Sequence, residues 1–339
     1  MMENIFYKPT YILQQKTLQF HLGNIQLFFR TFFPIDKKLK PSIKEVYLLN
    51  KRFDELLKKD LENVEKGFYS KELLFQIPFD SYLKNLPDLF SEVISMYLRQ
   101  KNNKWNELPE NIDKKAYPNY FLRNFHWQTD GYFSKKSAER YELGVEFLFV
   151  GIADVMRRQV IPPISNFIKN KKDIKLIDIA CGNGSSFKQI IKTYPEINIT
   201  GLDLSESYID FAKEKYKNIK NITLVTENAE NTSFDNNSFD IVTSTYLFHE
   251  LPYQVRKKVI SEMKRIVKDD GIIVIQDSIQ LSDSPDLEVT LNRFAKEFHE
   301  PFYKNYIEND LATIFEEEGL KLVNTDISYA SKTLVFKKN

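Results

Sequence analysis

The chain predicts an α/β protein: a mostly parallel sheet of seven strands in the C-terminal half, behind an N-terminal half built of helices. Three observations lead there. Residues 174–184 read Ile-Lys-Leu-Ile-Asp-Ile-Ala-Cys-Gly-Asn-Gly, a short apolar run that ends abruptly in glycines. Such a run, rich in β-branched residues, fits a strand buried on both faces. The glycines let the backbone turn tightly and let a ligand approach it. Beyond residue 173, short apolar runs alternate with amphipathic segments of helical length, which implies parallel strands joined by right-handed crossovers. Before residue 173 the apolar spacing is mostly helical, interrupted by a polar loop and an aromatic segment.

In chain order, residues 1–40 are rich in Phe and Leu and read as a helix packed on the rest of the protein; Arg30 is the sole basic residue between Lys16 and Lys37, which disfavours a membrane-surface anchor. Val46, Leu49, Phe53, Leu56, Leu57 and Leu61 give an amphipathic helix over 42–66, stopped by Gly67. Residues 72–99 read as further helices broken at Pro78 and Pro87, and 100–118 as a polar loop. An aromatic segment, 117–134, carries His126, Trp127, Asp130 and a turn-forming Asp-Gly. Ser134 is placed to cap a helix over 135–158, with Pro162-Pro163 as its end. The glycine-loop strand is followed by a helix from 185 and by strands at 197–202, 222–225, 239–244 and 272–275. Helices are expected at 206–217, 253–268, 286–298 and 308–318. Strands 320–327 and 332–336 form a closing antiparallel pair.

Composition excludes several classes. Of 339 residues, 42% are hydrophobic and 28% charged, the balance of a globular chain. With 48 basic and 47 acidic residues the net charge is +1, so no global field favours nucleic acid. Cys181 is the one cysteine, so neither an internal disulfide nor a cysteine-based zinc site is available, and no metal is expected. No stretch resembles a signal peptide or an integral membrane segment, and a cytoplasmic location is expected.

In open parallel sheets ligands sit beyond the C-terminal strand ends, where the strand order reverses. Four polar signals fall at such ends: Gly182 and Gly184, Asp203, Asn228-Ala229-Glu230, and Tyr246 to Glu250. Asp203 follows Gly184 by 19 residues, a spacing suited to a carboxylate that grips ribose hydroxyls.

These stretches resemble the class I S-adenosylmethionine-dependent methyltransferases. The matching segments are 176–184, Thr200-Gly-Leu-Asp-Leu-Ser205, 226–230, Ser238-Phe-Asp-Ile-Val242, Phe248-His-Glu-Leu251 and 265–271, in the family's order. The resemblance covers roughly 150–339 and is nearest the branch of ubiquinone and menaquinone C-methyltransferases. Residues 124–132, 248–251 and 298–303 add a likeness to a bacterial group with a long helical N-terminal extension. The resemblance implies a Rossmann-like seven-stranded sheet (166–339) with a helical extension (1–165) that forms a substrate pocket or lid. It implies S-adenosyl-L-methionine as cofactor. Asp178, Cys181, Gly182 and Gly184 would line its methionine and ribose, Asp203 would hold the ribose hydroxyls, and Leu204 would pack on adenine. Asn228, Ala229 and Glu230 would surround the adenine edge, with Tyr246 and Leu247 near the methionine end. Ser185-Ser186 departs mildly from the family's third glycine-like position. The acidic-Pro-Pro-aromatic signature of amide and exocyclic-amine methylation is missing, since the fourth strand runs into Ser244-Thr-Tyr-Leu.

Methyl transfer to carbon or oxygen needs alignment and usually a base. Candidates are His249, Glu250 and His126, then Asp130 and His299. His249 follows the fourth strand and is the first choice; its structural alternative is to cap the next helix. The expected partner is a small, apolar or aromatic acceptor held between the two halves. Two alternatives stand: a catalytically silent S-adenosylmethionine-binding module acting through a partner, and a nicotinamide-dependent dehydrogenase. The latter is disfavoured because Phe187 stands where its third glycine would lie.

Overall fold

A computed structural model describes residues 3–33, 39–77, 79–169 and 171–339. The chain opens with α1 (Glu3–Phe32), α2 (Ile43–Glu65) and α3 (Phe79–Asn102). Ser42 caps α2 through a reciprocal pair: its hydroxyl accepts from Glu45 N–H while the Glu45 carboxylate accepts from Ser42 N–H. Pro78 lies outside the described residues, and Pro87 lies inside α3 rather than breaking it. A proline strips the carbonyl four residues earlier of its N–H partner, and that residue, Leu83, faces water at 70% exposure. In α1, Tyr11 and Phe29 turn inward while Phe6, Leu13, Phe20 and Leu27 remain exposed.

The expected helix 135–158 is instead two. Ser134 caps α4 (Lys135–Leu148), accepting from Ser137 N–H. The chain then turns through Val150 and Gly151, at φ 48° and 86°. A Cβ on Gly151 would lie 2.4 Å from the Leu18 side chain, so α1 packs directly on the turn. After α5 (Ala153–Arg157), Pro162-Pro163 opens α6 (Ile161–Ile168) rather than ending a helix. Proline is tolerated in a first turn because those N–H groups have no partner there anyway. Arg158, between α5 and α6, reaches back to a buried clamp. Its Nε and Nη2 lie 3.1 and 2.5 Å from the two oxygens of Asp60 on α2. The same carboxylate accepts from Tyr11 and Tyr69, each at 2.5 Å.

The sheet comprises β1 (Lys175–Ile179), β2 (Asn198–Asp203), β3 (Ile222–Thr226), β4 (Phe239–Thr245), β5 (Val267–Ser278), β6 (Leu320–Ser328) and β7 (Ser331–Lys338), in the order β3-β2-β1-β4-β5-β7-β6. The first five pair in parallel and β7 is antiparallel to both neighbours. Its helices are α7 (Lys188–Thr193), α8 (Glu206–Tyr216), α9 (Tyr253–Ile266), α10 (Glu288–Glu297), α11 (Tyr303–Glu308) and α12 (Leu311–Glu317). The helix expected at 308–318 is α12, which begins only at Leu311 because Asp310 caps it, accepting from Thr313 N–H at 3.0 Å; α11 is a further short helix before it.

Strand alternation sends side chains to two cores. Leu176, Ile241 and Val274 join Phe53, Leu56, Met156 and Ile161 on one face. Ile177, Val242 and Ile275 join Val259, Ile260 and Phe315 on the other. Helices from the N-terminal half thus share a continuous core with one face of the sheet. No described helix is long and apolar enough to cross a membrane.

Candidate active site

The strand order reverses at β1: β2 lies on one side of it and β4 on the other, all three parallel, which leaves a crevice at their C-terminal ends. The loop after β1 enters that crevice through left-handed backbone at Ala180, Gly182 and Gly184, with φ 59°, 56° and 78°. Gly182 N–H donates to Asp203 Oδ2 and Ser205 N–H to Asp203 Oδ1, both at 2.8 Å. Asp203 is therefore fixed by backbone at the end of β2, and each oxygen retains a lone pair. Burial pushes its pKa up to about 6, against the hydrogen bonds from Ser205 and Gly182 that pull it down. The loop is also tied to the N-terminal half: Asn183 Nδ2 donates to the Ala138 carbonyl at 2.9 Å, and the Ser205 hydroxyl to the Tyr132 carbonyl.

The crevice holds a partly open cavity of about 100 Å³. Its sheet side holds Ala180, Gly182, Asp203, Leu204, Asn228, Ala229, Tyr246 and Leu247. Its other side is aromatic: Tyr120, Phe121, Phe125, Tyr132 and Tyr141. Seven of the expected cofactor residues thus stand on one wall. Four do not. Asp178 lies behind the loop, accepting from Thr243 Oγ1 at 2.6 Å and from the Ser186 hydroxyl, and burial lifts its pKa to about 6. Cys181 is buried in the core beside Phe187. Gly184 is filled from behind: a Cβ there would meet the Tyr216 ring at 2.4 Å, and its carbonyl accepts from that tyrosine's hydroxyl at 2.8 Å. Glu230 turns aside to Tyr120 OH and Lys258, at 2.9 and 3.0 Å. By contrast, a Cβ on Gly182 would meet nothing nearer than Tyr208 at 3.8 Å, so its openness serves the cavity rather than the packing.

The candidate bases separate. Glu250 lines the cavity. Its Oε1 accepts from Tyr132 OH at 2.6 Å and lies 3.2 Å from His126 Nε2. Burial alone would lower the His126 pKa, but the Glu300 and Glu250 carboxylates outweigh it and hold it near 10. His126 and Trp127 both sit at positive φ, 54° and 59°, a strained conformation for residues with side chains. His249 is buried, with Nδ1 2.6 Å from Asp277 Oδ1; it is not among the cavity residues, and it does not cap α9. Asp277 offsets the burial of His249 and raises its pKa to about 9. His299 packs against Trp127 at 4.6 Å between ring centroids, and burial lowers its pKa to about 4. Asp130 lies in a left-handed turn at φ 64°.

Several residues of this site were not singled out from the sequence. Tyr120, Phe121, Phe125 and Tyr132 lie in the segment marked for its rings, and Tyr141 on α4, but the rings alone did not say which faced the cavity. Glu300 lies inside the Phe298–Tyr303 motif, yet its meeting with His126 is a long-range contact that sequence spacing does not encode.

A family profile described as "Methyltransferase domain" matches residues 176–271. The chain is 34% identical over 112 residues to the demethylmenaquinone methyltransferase of Staphylococcus aureus (strain JH9), a match that covers 32% of this chain and 45% of that protein, so the chain spans less than half of the relative's length. Solved structures similar to it include a SAM-dependent methyltransferase from Aquifex aeolicus (TM-score 0.44, 16% identity, 60% of this chain and 98% of that one). Another is a TehB-like SAM-dependent methyltransferase from Corynebacterium glutamicum (TM-score 0.43, 18% identity, 60% and 98%). With the strand order, the glycine loop and the carboxylate that closes β2 already in place, the profile match marks residues 176–271, from β1 into β5, as similar to a methyltransferase domain.

Proposed function

We propose that the protein transfers a methyl group from S-adenosylmethionine to a carbon or oxygen of a small aromatic, quinone-like acceptor. The observation that carries this reading is the cavity with Asp203 and Glu250 in its wall, roofed by aromatic side chains of the N-terminal half. The residues present fit the cofactor: a carboxylate with free lone pairs, a glycine open to close approach and flat apolar surface at Leu204 and Ala229. When bound, the cofactor supplies a methyl group already activated by the positive sulfur. Asp203 would accept from both ribose hydroxyls, and Leu204 and Ala229 would sandwich the base. Asn228 would read the edge of that base, with Tyr246 and Leu247 beside the methionine portion.

The residues up to about 165 act in this reading as the wall and lid of the acceptor pocket. Tyr120, Phe121, Phe125 and Tyr141 exclude water and offer ring faces to an aromatic acceptor. Glu250, oriented by Tyr132 and beside the His126 ring, would take up the proton that the acceptor gives up. His249, held by Asp277, positions the turn that carries Glu250. The name of the staphylococcal relative supports a quinone-like acceptor. The test is to incubate the protein with S-adenosylmethionine and demethylated naphthoquinols and to follow S-adenosylhomocysteine and methylated product by mass spectrometry. Cofactor binding without turnover on any hydroxylated ring or quinol would favour the silent binding module; absence of cofactor binding would end the proposal.

A further inference from the structure

Three segments distant in sequence bring His126, Glu250 and Glu300 together: the turn Phe125–Trp127, the turn Phe248–Glu250 after β4, and the link between α10 and α11. One potential ligand atom from each lies within 4.8 Å of the other two. His126 Nε2 is 3.2 Å from Glu250 Oε1, and Nδ1 is 3.0 Å from Glu300 Oε1. Glu300 is 2% exposed, and neither of its oxygens accepts a hydrogen bond; its approach to Nδ1 lies off the hydrogen-bond direction, which leaves that nitrogen unpartnered too. A buried carboxylate with two bare oxygens is costly, and native structures rarely tolerate one without an ion or ordered water. The charge is also out of balance. Two carboxylates face one imidazole, so the group stays negative whether the ring is neutral or protonated. The nearby Arg123 attracts Glu300 from a distance but does not bond to it: its guanidinium donates to the Tyr120 carbonyl and stacks over Phe302.

We propose that His126, Glu250 and Glu300 form a binding site for one divalent transition-metal cation of the zinc or manganese class. Mixed imidazole and carboxylate donors suit these ions, whereas magnesium and calcium favour all-oxygen shells. The ion cancels the excess negative charge and gives the Glu300 oxygens a partner. Tyr132, donating to Glu250, fixes that carboxylate from behind in the way a supporting hydrogen bond orients a metal ligand. Glu250 also lines the cavity, so the ion's remaining positions would be open to water or to an oxygen of a bound acceptor. A hydroxyl held there would lose its proton near neutral pH. That last role, and it alone, rests on the methyl-transfer reading.

The full-length protein, stripped with a chelator, is titrated with Mn²⁺ alone and followed by the paramagnetic resonance of free ion; zinc content after dialysis against Zn²⁺ is measured in parallel. One equivalent is expected to bind. Glu300→Gln and His126→Asn should each weaken binding at least tenfold; asparagine is chosen because it tolerates the left-handed backbone. Added metal should raise the melting temperature of the wild type and leave that of Glu300→Gln unmoved. Failure of the wild type to bind either ion, or binding unchanged in both variants, overturns the proposal. If Glu300→Gln does not fold, His126→Asn decides the matter. S-adenosylmethionine binding is measured on the same samples. Metal bound without the nucleoside sinks the methyl-transfer reading and spares this one; the nucleoside bound without metal does the reverse.

Discussion

Asp60 and Glu300 are both carboxylates shut away from water, at 0% and 2% exposure, yet their surroundings are opposite. Asp60 receives Tyr11, Tyr69 and both arms of Arg158. Its charge is cancelled and its lone pairs are used. It ties α1 and α2 to the segment that leads into the sheet, and that is a structural task. Glu300 faces His126 and Glu250 with no hydrogen bond to either oxygen. Burial raises its pKa, and the nearby His126 counters only part of that. Asp203 stands between the two cases, satisfied by two backbone N–H groups but open to the cavity. Burial alone therefore does not mark function in this molecule. What separates clamp from site is whether the hydrogen-bonding capacity of the buried group is used up within the protein.

The contrast can be broken by substitutions of nearly equal size. Asp60→Asn leaves Arg158 buried without its counter-charge, and urea denaturation should register a loss of about 3–5 kcal/mol. A loss below about 1 kcal/mol would mean the clamp is not a stability device. Asp203→Ala removes the acceptor for the sugar hydroxyls, and calorimetric titration should find S-adenosylmethionine bound about 10- to 100-fold more weakly, or about 1.4–2.8 kcal/mol. Unchanged affinity would separate Asp203 from the cofactor. Glu300→Gln should move metal-free stability by no more than about 1 kcal/mol, and upward, because it removes one of two buried carboxylates that share a single imidazole. A loss as large as that of Asp60→Asn would put Glu300 in the same class as the clamp. The smallest effect is on pH. A carboxyl pushed up to about 6 is protonated below that pH and ionised above it. The affinity of the wild type for S-adenosylmethionine should thus be flat above about pH 7 and fall by at most about tenfold per unit below 6, a dependence that Asp203→Asn should abolish.

Pro162-Pro163 marks where the reading of the sequence stopped short of the fold. A proline pair fits the end of one helix as well as the first turn of the next. Only the turn at Gly151, where Leu18 occupies the space a side chain would need, decides that the helix has already ended. Gly184 shows the same limit: its place in the loop was legible, but its reason, the ring of Tyr216, is not encoded by local spacing. Glu300 is the extreme case, since its partners lie on turns far away in the chain.

The sequence by itself determined the sheet, its helices and one wall of the cavity. Strand runs, glycines and strand-end polar residues are local signals, and right-handed parallel connections leave few ways to assemble them. Only the tertiary structure decided which aromatic rings face that wall, that His249 turns to Asp277 while Glu250 faces the cavity, and that Glu300 meets His126. Those outcomes depend on how distant turns pack against one another, and no residue spacing along the chain carries that information.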